Sequence, residues 1–238
     1  TYQTLGDEFS AIEPPSLAAL FATYLRQHGM SVAIIDAPAL NYGPQEVAKL
    51  ISATFDPVLI VLVVYGFQPS ASTQNMTAAG ETARAIKELM PDSRIMMTGT
   101  HPSALPERTL AEEAVDYVCS GEGPEAINYV IHAIKCRSLI GDRGPIIRGD
   151  NIKDLDAEMP GGAWDLLPME KYRAHNWHCF ENIDQREPYA SIHTSLGCPY
   201  RCNFCCINAP FGKSSYRMWS PATVGRAIAH LTTRYGVR

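Results

Sequence analysis

A chain of 238 residues that is 46% hydrophobic can bury a substantial core in one large domain or two small ones. Its formal net charge is −5, and its 20 lysines and arginines are scattered, which argues against a nucleic-acid partner. No apolar run is long enough for a membrane anchor, and the first fifteen residues lack the pattern of a signal peptide. We therefore expect a cytoplasmic protein whose seven cysteines serve metal or redox chemistry rather than disulfide bonds.

Helices and strands alternate through the first part of the chain. Apolar residues at helical spacing predict helices at 16–28, 44–54, 76–90, 105–114 and 124–135. Short apolar or β-branched runs predict strands at 31–37, 57–66, 94–100 and 115–123. Such units, repeated about every thirty residues, predict an α/β fold with a doubly wound parallel sheet. Because nothing in residues 1–15 resembles a buried strand, we expect the first strand of this sheet to be missing.

The texture of the sequence changes after the last of these helices. Residues 137–188 are rich in turns and show little periodicity, which predicts a linker between a first domain at 1–136 and a second at 189–238. In the second domain, residues 188–197 predict a strand, and residues 220–236 predict a helix capped by Ser220 with Pro221 at its first position. One strand, a loop and one helix cannot close a sheet or barrel, so we expect this domain to be truncated.

Four of the seven cysteines lie between residues 195 and 206. Cys198, Cys202 and Cys205 have the spacing C-x3-C-x2-C, so their thiolates can converge on one inorganic centre. A four-iron cluster with three protein ligands, a tetrahedral zinc site and a set of buried structural cysteines all remain open on spacing alone. The zinc site would need a fourth ligand, for which the candidates are Cys206, Cys179 and His193.

Three loops at strand ends mix glycines with hydroxyl side chains, at residues 65–73, 98–103 and 119–124. In an open parallel sheet, ligands bind beyond the carboxyl ends of the strands. These loops therefore predict a cofactor edge without naming the cofactor. The dinucleotide fingerprint G-x-G-x-x-G is absent from the sequence.

The cysteine motif C-P-Y-R-C-N-F-C, with Gly197 before it and Phe204 before its last cysteine, resembles the signature of the radical S-adenosylmethionine enzymes. Upstream, the runs "TGTHPSALPERTL", "VDYVCSGEGPEA" and "WDLLPMEKY" are similar to the cobalamin-binding subgroup of that superfamily. The resemblance extends from about residue 14 to residue 238. It implies that a cobalamin-binding domain at 1–136 precedes the start of a partial (β/α) radical S-adenosylmethionine barrel.

The resemblance also implies cofactors and site residues. Cys198, Cys202 and Cys205 would hold a [4Fe–4S] cluster whose open iron binds S-adenosylmethionine, while Cys206 has no role in the motif. An external donor such as flavodoxin or ferredoxin would reduce the cluster, and a deoxyadenosyl radical would then form. Cobalamin and its nucleotide tail would be lined by Ser70, Ser72, Gly99, Thr100, Gly121 and Gly123.

The commonest reaction of the subgroup is methyl transfer to an unactivated carbon or a phosphorus centre, here of a small-molecule or peptide substrate. One S-adenosylmethionine methylates the cobalt, and a second generates the substrate radical. Radical cyclisation or rearrangement is an alternative within the subgroup, and a zinc- or cobalamin-binding module is an alternative outside enzymes. Because the substrate pocket should follow residue 238, we expect this piece alone to be inactive.

Several side chains depart from the pattern or lie beside it. The motif D-x-H-x-x-G, which supplies a histidine ligand to cobalt, does not occur, and we interpret His101 as a loop histidine. The residues His175, His178 and Cys179 are interpreted as surface or packing residues. Glu122 and Glu125 either bond a cofactor or cap the following helix, and we expect the cap. Lys213 and Arg217 either contact S-adenosylmethionine or an anionic substrate, or lie in a solvated loop.

Overall fold

The computed structural model describes residues 11–66, 69–136, 144–175 and 186–237. Its strands are β1 (Ile60–Val64), β2 (Ile95–Gly99), β3 (Tyr117–Cys119), β4 (Ile146–Ile147), β5 (Ser195–Cys198) and β6 (Ser215–Met218). Its helices are α1 (Ser16–Gln27), α2 (Ala37–Leu40), α3 (Pro44–Thr54), α4 (Pro69–Leu89), α5 (Thr100–Ala104), α6 (Pro106–Glu112), α7 (Pro124–Lys135), α8 (Leu155–Glu158) and α9 (Pro221–Tyr235). None of these helices combines the length and apolar character needed to cross a membrane.

The chain forms two compact units, each built from separate segments. The first unit contains the described parts of Thr1–Tyr42, Asp154–Ser195 and Met218–Arg238. The second contains the described parts of Gly43–Lys153 together with Leu196–Arg217.

A four-stranded parallel sheet forms the centre of the second unit. Its strands lie in chain order, with Ile60 opposite Ile95, Met96 opposite Tyr117 and Val118 opposite Ile146. Every residue of β2 is buried, as expected for a strand covered on both faces. The predicted α/β fold with a parallel sheet is therefore confirmed.

The first unit packs α1 and α9 around a core of mostly aromatic and aliphatic side chains. Its buried cluster includes Ala19, Trp164, Tyr172 and Leu231. The helix α9 begins as predicted, because the Ser220 hydroxyl accepts a hydrogen bond from the Thr223 amide at 3.2 Å.

Two strand predictions were wrong in detail, and two strands were not predicted. Residues 31–36 form no strand, because the run ends at Asp36, whose carboxylate caps α2 and accepts the Tyr172 hydroxyl at 2.7 Å. The observed strand β5 is shorter than the strand predicted at 188–197, because it begins only at Ser195. Its partner strand, β6, was not predicted. Strand β4 lies inside the predicted linker and has only two residues, which is too short for an alternating apolar pattern in the sequence. The domain boundaries at 136 and 188 stay a prediction.

Candidate cofactor site

Five of the six predicted cobalamin-lining residues lie where strands of the parallel sheet end. Gly99 ends β2 and Thr100 begins α5, while Gly121 and Gly123 lie between β3 and α7. Ser72 lies in α4, which follows β1. We call this side of the sheet the carboxyl edge. The side chain of Ser70, the sixth residue, lies outside the described part of the chain.

Glycine is required at position 99 by the close approach of two strands. A Cβ atom at Gly99 would overlap the carbonyl oxygen of Val64, the last residue of β1. The residue also has a φ of 152°, which side chains disfavour. Gly99 thus allows β2 to pass tightly against β1 at the carboxyl edge.

The hydroxyl of Ser72 holds this edge together. Ser72 is fully buried, donates a hydrogen bond to the Val64 carbonyl and accepts one from the His101 amide at 2.9 Å. It therefore ties α4 to the end of β1 and the start of α5. Its contact with cobalamin stays a prediction, but its internal bonds give it a structural task that sequence reasoning missed.

His101 lies in the short helix α5 rather than in a loop. Its Nδ1 is 2.9 Å from the Thr73 hydroxyl. Partial burial, together with the nearby Arg108 cation, lowers the pKa of His101, which favours the neutral imidazole at pH 7. The ring is thus held by a neighbouring hydroxyl at the carboxyl edge.

Two further polar side chains support the turn between β3 and α7, and sequence reasoning singled out neither. The Ser103 hydroxyl lies 3.3 Å from the Cys119 carbonyl and 3.2 Å from the Gly121 carbonyl. The Tyr65 hydroxyl donates to the Glu122 carbonyl at 3.2 Å. These contacts hold the glycine turn in place. The hydroxyls are ordinary turn and strand-end residues in sequence, so only their distant partners reveal the role.

The predicted helix caps at Glu122 and Glu125 were wrong. Gly123 precedes α7 without a side-chain cap. Instead, the carboxylate of Glu125 accepts a hydrogen bond from the Asp150 amide at 2.9 Å, and that of Glu122 accepts one from the Ile152 amide at 3.0 Å. Both carboxylates thus bind the segment that follows β4, a segment that the sequence predicts to be part of the linker.

Arg217 forms a buried ion pair with Glu122, which contradicts the alternative of a solvated loop for this residue. Its contact with S-adenosylmethionine or an anionic substrate stays a prediction. The Nη2 atom lies 3.1 Å from the Glu122 Oε2 atom. Burial raises the pKa of Glu122, and the Arg217 guanidinium opposes that shift. Lys213, considered together with Arg217 in the sequence, is exposed.

The cysteine motif lies on residues 196–217, which we call the cysteine hairpin and which include most of β5 and β6. Asn208 closes its loop: Oδ1 accepts a hydrogen bond from the Cys198 amide at 3.0 Å, and Nδ2 donates one to the Tyr200 carbonyl at 3.0 Å. At Gly197, with φ 85°, a Cβ atom would overlap the Ser215 carbonyl oxygen of β6. Glycine before the motif therefore permits the two strands to pair.

The three motif cysteines carry free thiols. Cys202 is exposed, and Cys198 and Cys205 are half-buried. Three free, accessible thiols on one eight-residue loop fit an iron–sulfur cluster in donor chemistry. Within the described residues, no three Cys, His, Asp or Glu side chains are gathered closely enough to hold a metal ion. The assignment of Cys198, Cys202 and Cys205 as ligands therefore stays a prediction.

The remaining candidate ligands differ from these three. Burial raises the pKa of the adjacent Cys206 thiol, which disfavours the thiolate that a metal requires. His193 belongs to the first unit, whereas the motif cysteines belong to the second. His175, also of the first unit, is half-buried. The candidates His178 and Cys179 lie outside the described residues.

A parallel sheet with glycine turns at its carboxyl edge defines a cofactor-binding α/β domain. Its particular family follows from comparison with known proteins: the chain belongs to the B12-binding domain family, whose model matches residues 2–131. This match covers α1 to α7 except for the end of α7, and thus all six predicted cobalamin-lining residues.

The chain is also similar to methyltransferases. It is 30% identical over 240 residues to an uncharacterized methyltransferase of Pyrococcus horikoshii, covering 94% of this chain and 47% of the relative. Two structures of the radical S-adenosylmethionine methyltransferase TsrM from Kitasatospora setae share its fold. One contains tryptophan substrate and an S-adenosylmethionine analogue and matches with a TM-score of 0.67, at 18% identity, over 97% of this chain and 45% of TsrM. The other contains cobalamin and a [4Fe–4S] cluster and matches with a TM-score of 0.63, at 17% identity, over 96% and 45%.

The family match confirms the cobalamin-binding part of the predicted resemblance, and the similarity to TsrM shows a fold shared with a radical S-adenosylmethionine methyltransferase. The chain spans about half the length of the relatives that it matches.

Proposed function

We propose that this chain is the cofactor-binding front portion of a cobalamin-dependent radical S-adenosylmethionine methyltransferase. Its substrate would be a small molecule or a peptide that is methylated at an unactivated carbon or a phosphorus centre. The B12-binding family match and the similarity to methyltransferases support this proposal. Catalysis would belong to the longer protein.

One structural observation supports two cofactors acting together. The cysteine hairpin belongs to the same compact unit as the parallel sheet, although residue 153 and residue 196 are far apart in sequence. Within that unit, the Asn151 side-chain amide donates a hydrogen bond to the Phe211 carbonyl of the hairpin at 3.1 Å. The candidate cluster ligands and the candidate cobalamin edge are thus parts of one packed body.

The residues of this chain would bind and orient the cofactors. Cys198, Cys202 and Cys205 would hold the cluster, on a loop that Asn208 fixes at both Cys198 and Tyr200. Gly121 and Gly123 would let the backbone approach cobalamin closely, since neither carries a side chain. When bound, cobalamin would supply a transferable methyl group, and the reduced cluster would supply the electron that cleaves S-adenosylmethionine to the radical that activates the substrate.

The proposal extends to partners. An external electron donor such as flavodoxin or ferredoxin would reduce the cluster, and the protein would act in the cytoplasm without nucleic-acid or membrane partners. The negative net charge of this chain fits the absence of a nucleic-acid footprint.

The test is anaerobic reconstitution of the full-length protein, followed by iron, sulfide, zinc and cobalt analysis of wild type and Cys202→Ala. We expect about four irons per wild-type protein, as a [4Fe–4S] cluster requires. We expect the iron to be lost in Cys202→Ala while cobalt is retained. Cleavage of S-adenosylmethionine by the same samples should follow the iron content.

Cys136→Ala is the matched control, because Cys136 is also an exposed free cysteine but lies outside the motif. This variant should keep both iron and cobalt. Zinc in place of iron would contradict the radical mechanism and would favour a structural zinc site at the hairpin. A protein with iron but no cobalt would contradict the cobalamin-dependent reaction.

A further inference from the structure

Arg217 of the cysteine hairpin reaches three groups of the unit that contains the sheet. Its guanidinium pairs with the Glu122 carboxylate at 3.1 Å and donates a hydrogen bond to the Ile152 carbonyl. The guanidinium carbon also lies 5.3 Å from the centre of the Phe211 ring, within the range of a cation–π contact. One side chain therefore connects the hairpin, the turn after β3 and the segment after β4.

The ion pair is shielded from water. The side chain of Glu122 is 3% exposed and that of Arg217 is 18% exposed. Removal of one member of a buried pair leaves the other charge without compensation, which is far more costly than the loss of a surface pair. The position of the hairpin should therefore depend strongly on this contact.

Both members of the pair lie beside candidate cofactor residues. Glu122 stands between Gly121 and Gly123, where cobalamin is expected. Arg217 lies on β6, which pairs with β5, the strand that ends at Cys198. The pair thus joins a residue of the glycine turn to the strand that pairs with β5, the strand of the first motif cysteine.

Other contacts attach the hairpin at the same place but are weaker. The hairpin's Gly212 lies so close to the guanidinium of Arg148 that a Cβ atom would overlap it, and Phe211 binds Asn151 through a single neutral hydrogen bond. Only the Arg217 contact among these joins two buried charges. It should therefore dominate the attachment.

We propose that Glu122 and Arg217 form a positioning link that holds the cysteine hairpin on the carboxyl edge and couples the two cofactor sites. The attachment requires no cofactor. The coupling rests on the proposed function, because it needs both cofactors to bind.

The attachment is tested by hydrogen exchange of the full-length protein without cofactors. In Arg217→Met and in Glu122→Gln, we expect amides of residues 198–212 to exchange about tenfold faster or more, while amides of β1 and β2 stay unchanged. The double variant should recover part of this protection, because it leaves no buried charge unpaired. Arg217→Lys, which keeps the charge but loses the planar fork, should fall between wild type and Arg217→Met.

The control is Arg84→Met, which breaks the Arg84–Glu113 pair of the same unit at 3.3 Å. Arg84 is 51% exposed, so this variant should leave the exchange of residues 198–212 unchanged. The proposal would be overturned if hairpin amides in Arg217→Met exchanged at the same rate as in the wild-type protein. Equally faster exchange in the hairpin, β1 and β2 would also overturn it, because the pair would then stabilise the whole unit rather than position the hairpin.

The coupling is tested with hydroxocobalamin as the probe. Its dissociation constant is measured for the full-length protein with and without the reconstituted cluster, and the ratio of the two values reports the coupling. We expect a ratio differing from one by about fivefold or more in wild type and in Arg84→Met, and a ratio near one in Arg217→Met. A wild-type ratio near one, or an unchanged ratio in Arg217→Met, would overturn the coupling.

Failure of this link and failure of the proposed function give different results. If the proposed function fails, the wild-type protein binds no iron or no cobalt, while the exchange experiment still decides the attachment. If the link fails, both cofactors bind but the Arg217→Met variant behaves as wild type does.

Discussion

At the scale of single residues, Gly99 is a position where the carboxyl edge tolerates little change. A methyl group there would overlap the Val64 carbonyl oxygen, and its backbone has a φ of 152°. Because the obstructing atom belongs to a strand backbone that cannot move away, we expect Gly99→Ala to lower the free energy of unfolding by about 3 kcal/mol. Urea unfolding followed by circular dichroism measures this loss.

The matched control is Gly225→Ala in α9. No atom lies within 4 Å of the Cβ position at Gly225, and the residue is within a helix. Alanine should therefore stabilise the protein, by about 0.5 to 1 kcal/mol. Equal effects of the two substitutions would show that the overlap at Gly99 is relieved by small shifts.

Asp36 gives a pH dependence of known sign. Burial raises its pKa, although hydrogen bonds from the Tyr172 hydroxyl and the Ala39 amide oppose the shift. The folded state therefore binds the proton more tightly than the unfolded chain. The contribution of Asp36 to stability is therefore fully present below the usual carboxyl pKa. It is lost as the pH rises through the raised pKa of the folded state. Between pH 4 and pH 7, wild type should thus lose stability relative to Asp36→Asn, as urea unfolding at both pH values would measure.

Asp165 supplies the opposite case. Its hydrogen bond and ion pair with Arg26 lower its pKa, so its contribution is present above the usual carboxyl pKa and is lost as the pH falls. Relative to Asp165→Asn, wild type should lose stability on acidification. The pair is exposed, so this effect should be small. The same sign for both aspartates would contradict the assigned causes.

The roles of single residues were predictable from sequence only where the cause is local. Ser220 was identified as a helix cap because its partner, Thr223, is three residues away. Glu122 was assigned the same role and instead pairs with Arg217, which is distant in sequence. A glutamate before a helix gives the same local signal in both situations, so the pattern could not distinguish a cap from a long-range ion pair.

At the scale of elements, Trp219 connects the end of β6 with α8. Its ring is buried, and its Nε1 donates hydrogen bonds to the carbonyls of Leu155 at 3.0 Å and Met159 at 2.7 Å. Trp219→Phe keeps most of the buried ring but removes the indole donor from both carbonyls, of which that of Leu155 still accepts the Met159 amide at 3.0 Å. We expect it to cost about 1 to 3 kcal/mol in the free energy of unfolding, measured by urea denaturation.

Trp164→Phe is the control in the same unit. Trp164 is equally buried, but its Nε1 has no hydrogen-bond partner among the described residues. Loss of this indole nitrogen should therefore cost less than loss of the one in Trp219. A larger effect at position 164 would mean that ring packing, rather than hydrogen bonding, determines both results.

Most helices with a regular apolar pattern were predictable, but α4, the longest, begins at Pro69 rather than at residue 76, inside a segment that the sequence predicts as a loop. Helices such as α7 and α9 repeat their apolar pattern over three or more turns, and the structure places them where the sequence predicts. Strands β3 and β4 have three and two residues. Strand β3 follows α6, a helix that the sequence predicts. Strand β4 lies in a turn-rich segment, and its pairing with β3 identifies it as a strand.

At the scale of the whole molecule, the sequence predicts the parallel α/β fold but not the grouping of segments. Both compact units combine segments that are distant in the chain. The cysteine hairpin joins the unit of the sheet, whereas α9, only a few residues later, joins the other. Sequence texture divides a chain into consecutive stretches, so it cannot identify a unit that is built from separate ones.

This grouping predicts where cobalamin should protect the molecule. All predicted cobalamin-lining residues lie in the second unit, at or near its carboxyl edge. A ligand that binds only the folded state at 100 times its dissociation constant stabilises it by about 2.7 kcal/mol. With hydroxocobalamin at that concentration, amide exchange of the full-length protein should therefore slow by up to about a hundredfold at residues 98–101 and 119–124.

The comparison within the same sample is α1, which the B12-binding match includes but which belongs to the first unit. We expect its amides to change less than those of the carboxyl edge, because the predicted contacts lie elsewhere. If α1 gained as much protection, the bound cofactor would stabilise both units together, and the site would not be confined to the edge of the sheet. Protection of α1 alone would place cobalamin away from the six predicted residues and would contradict their assignment.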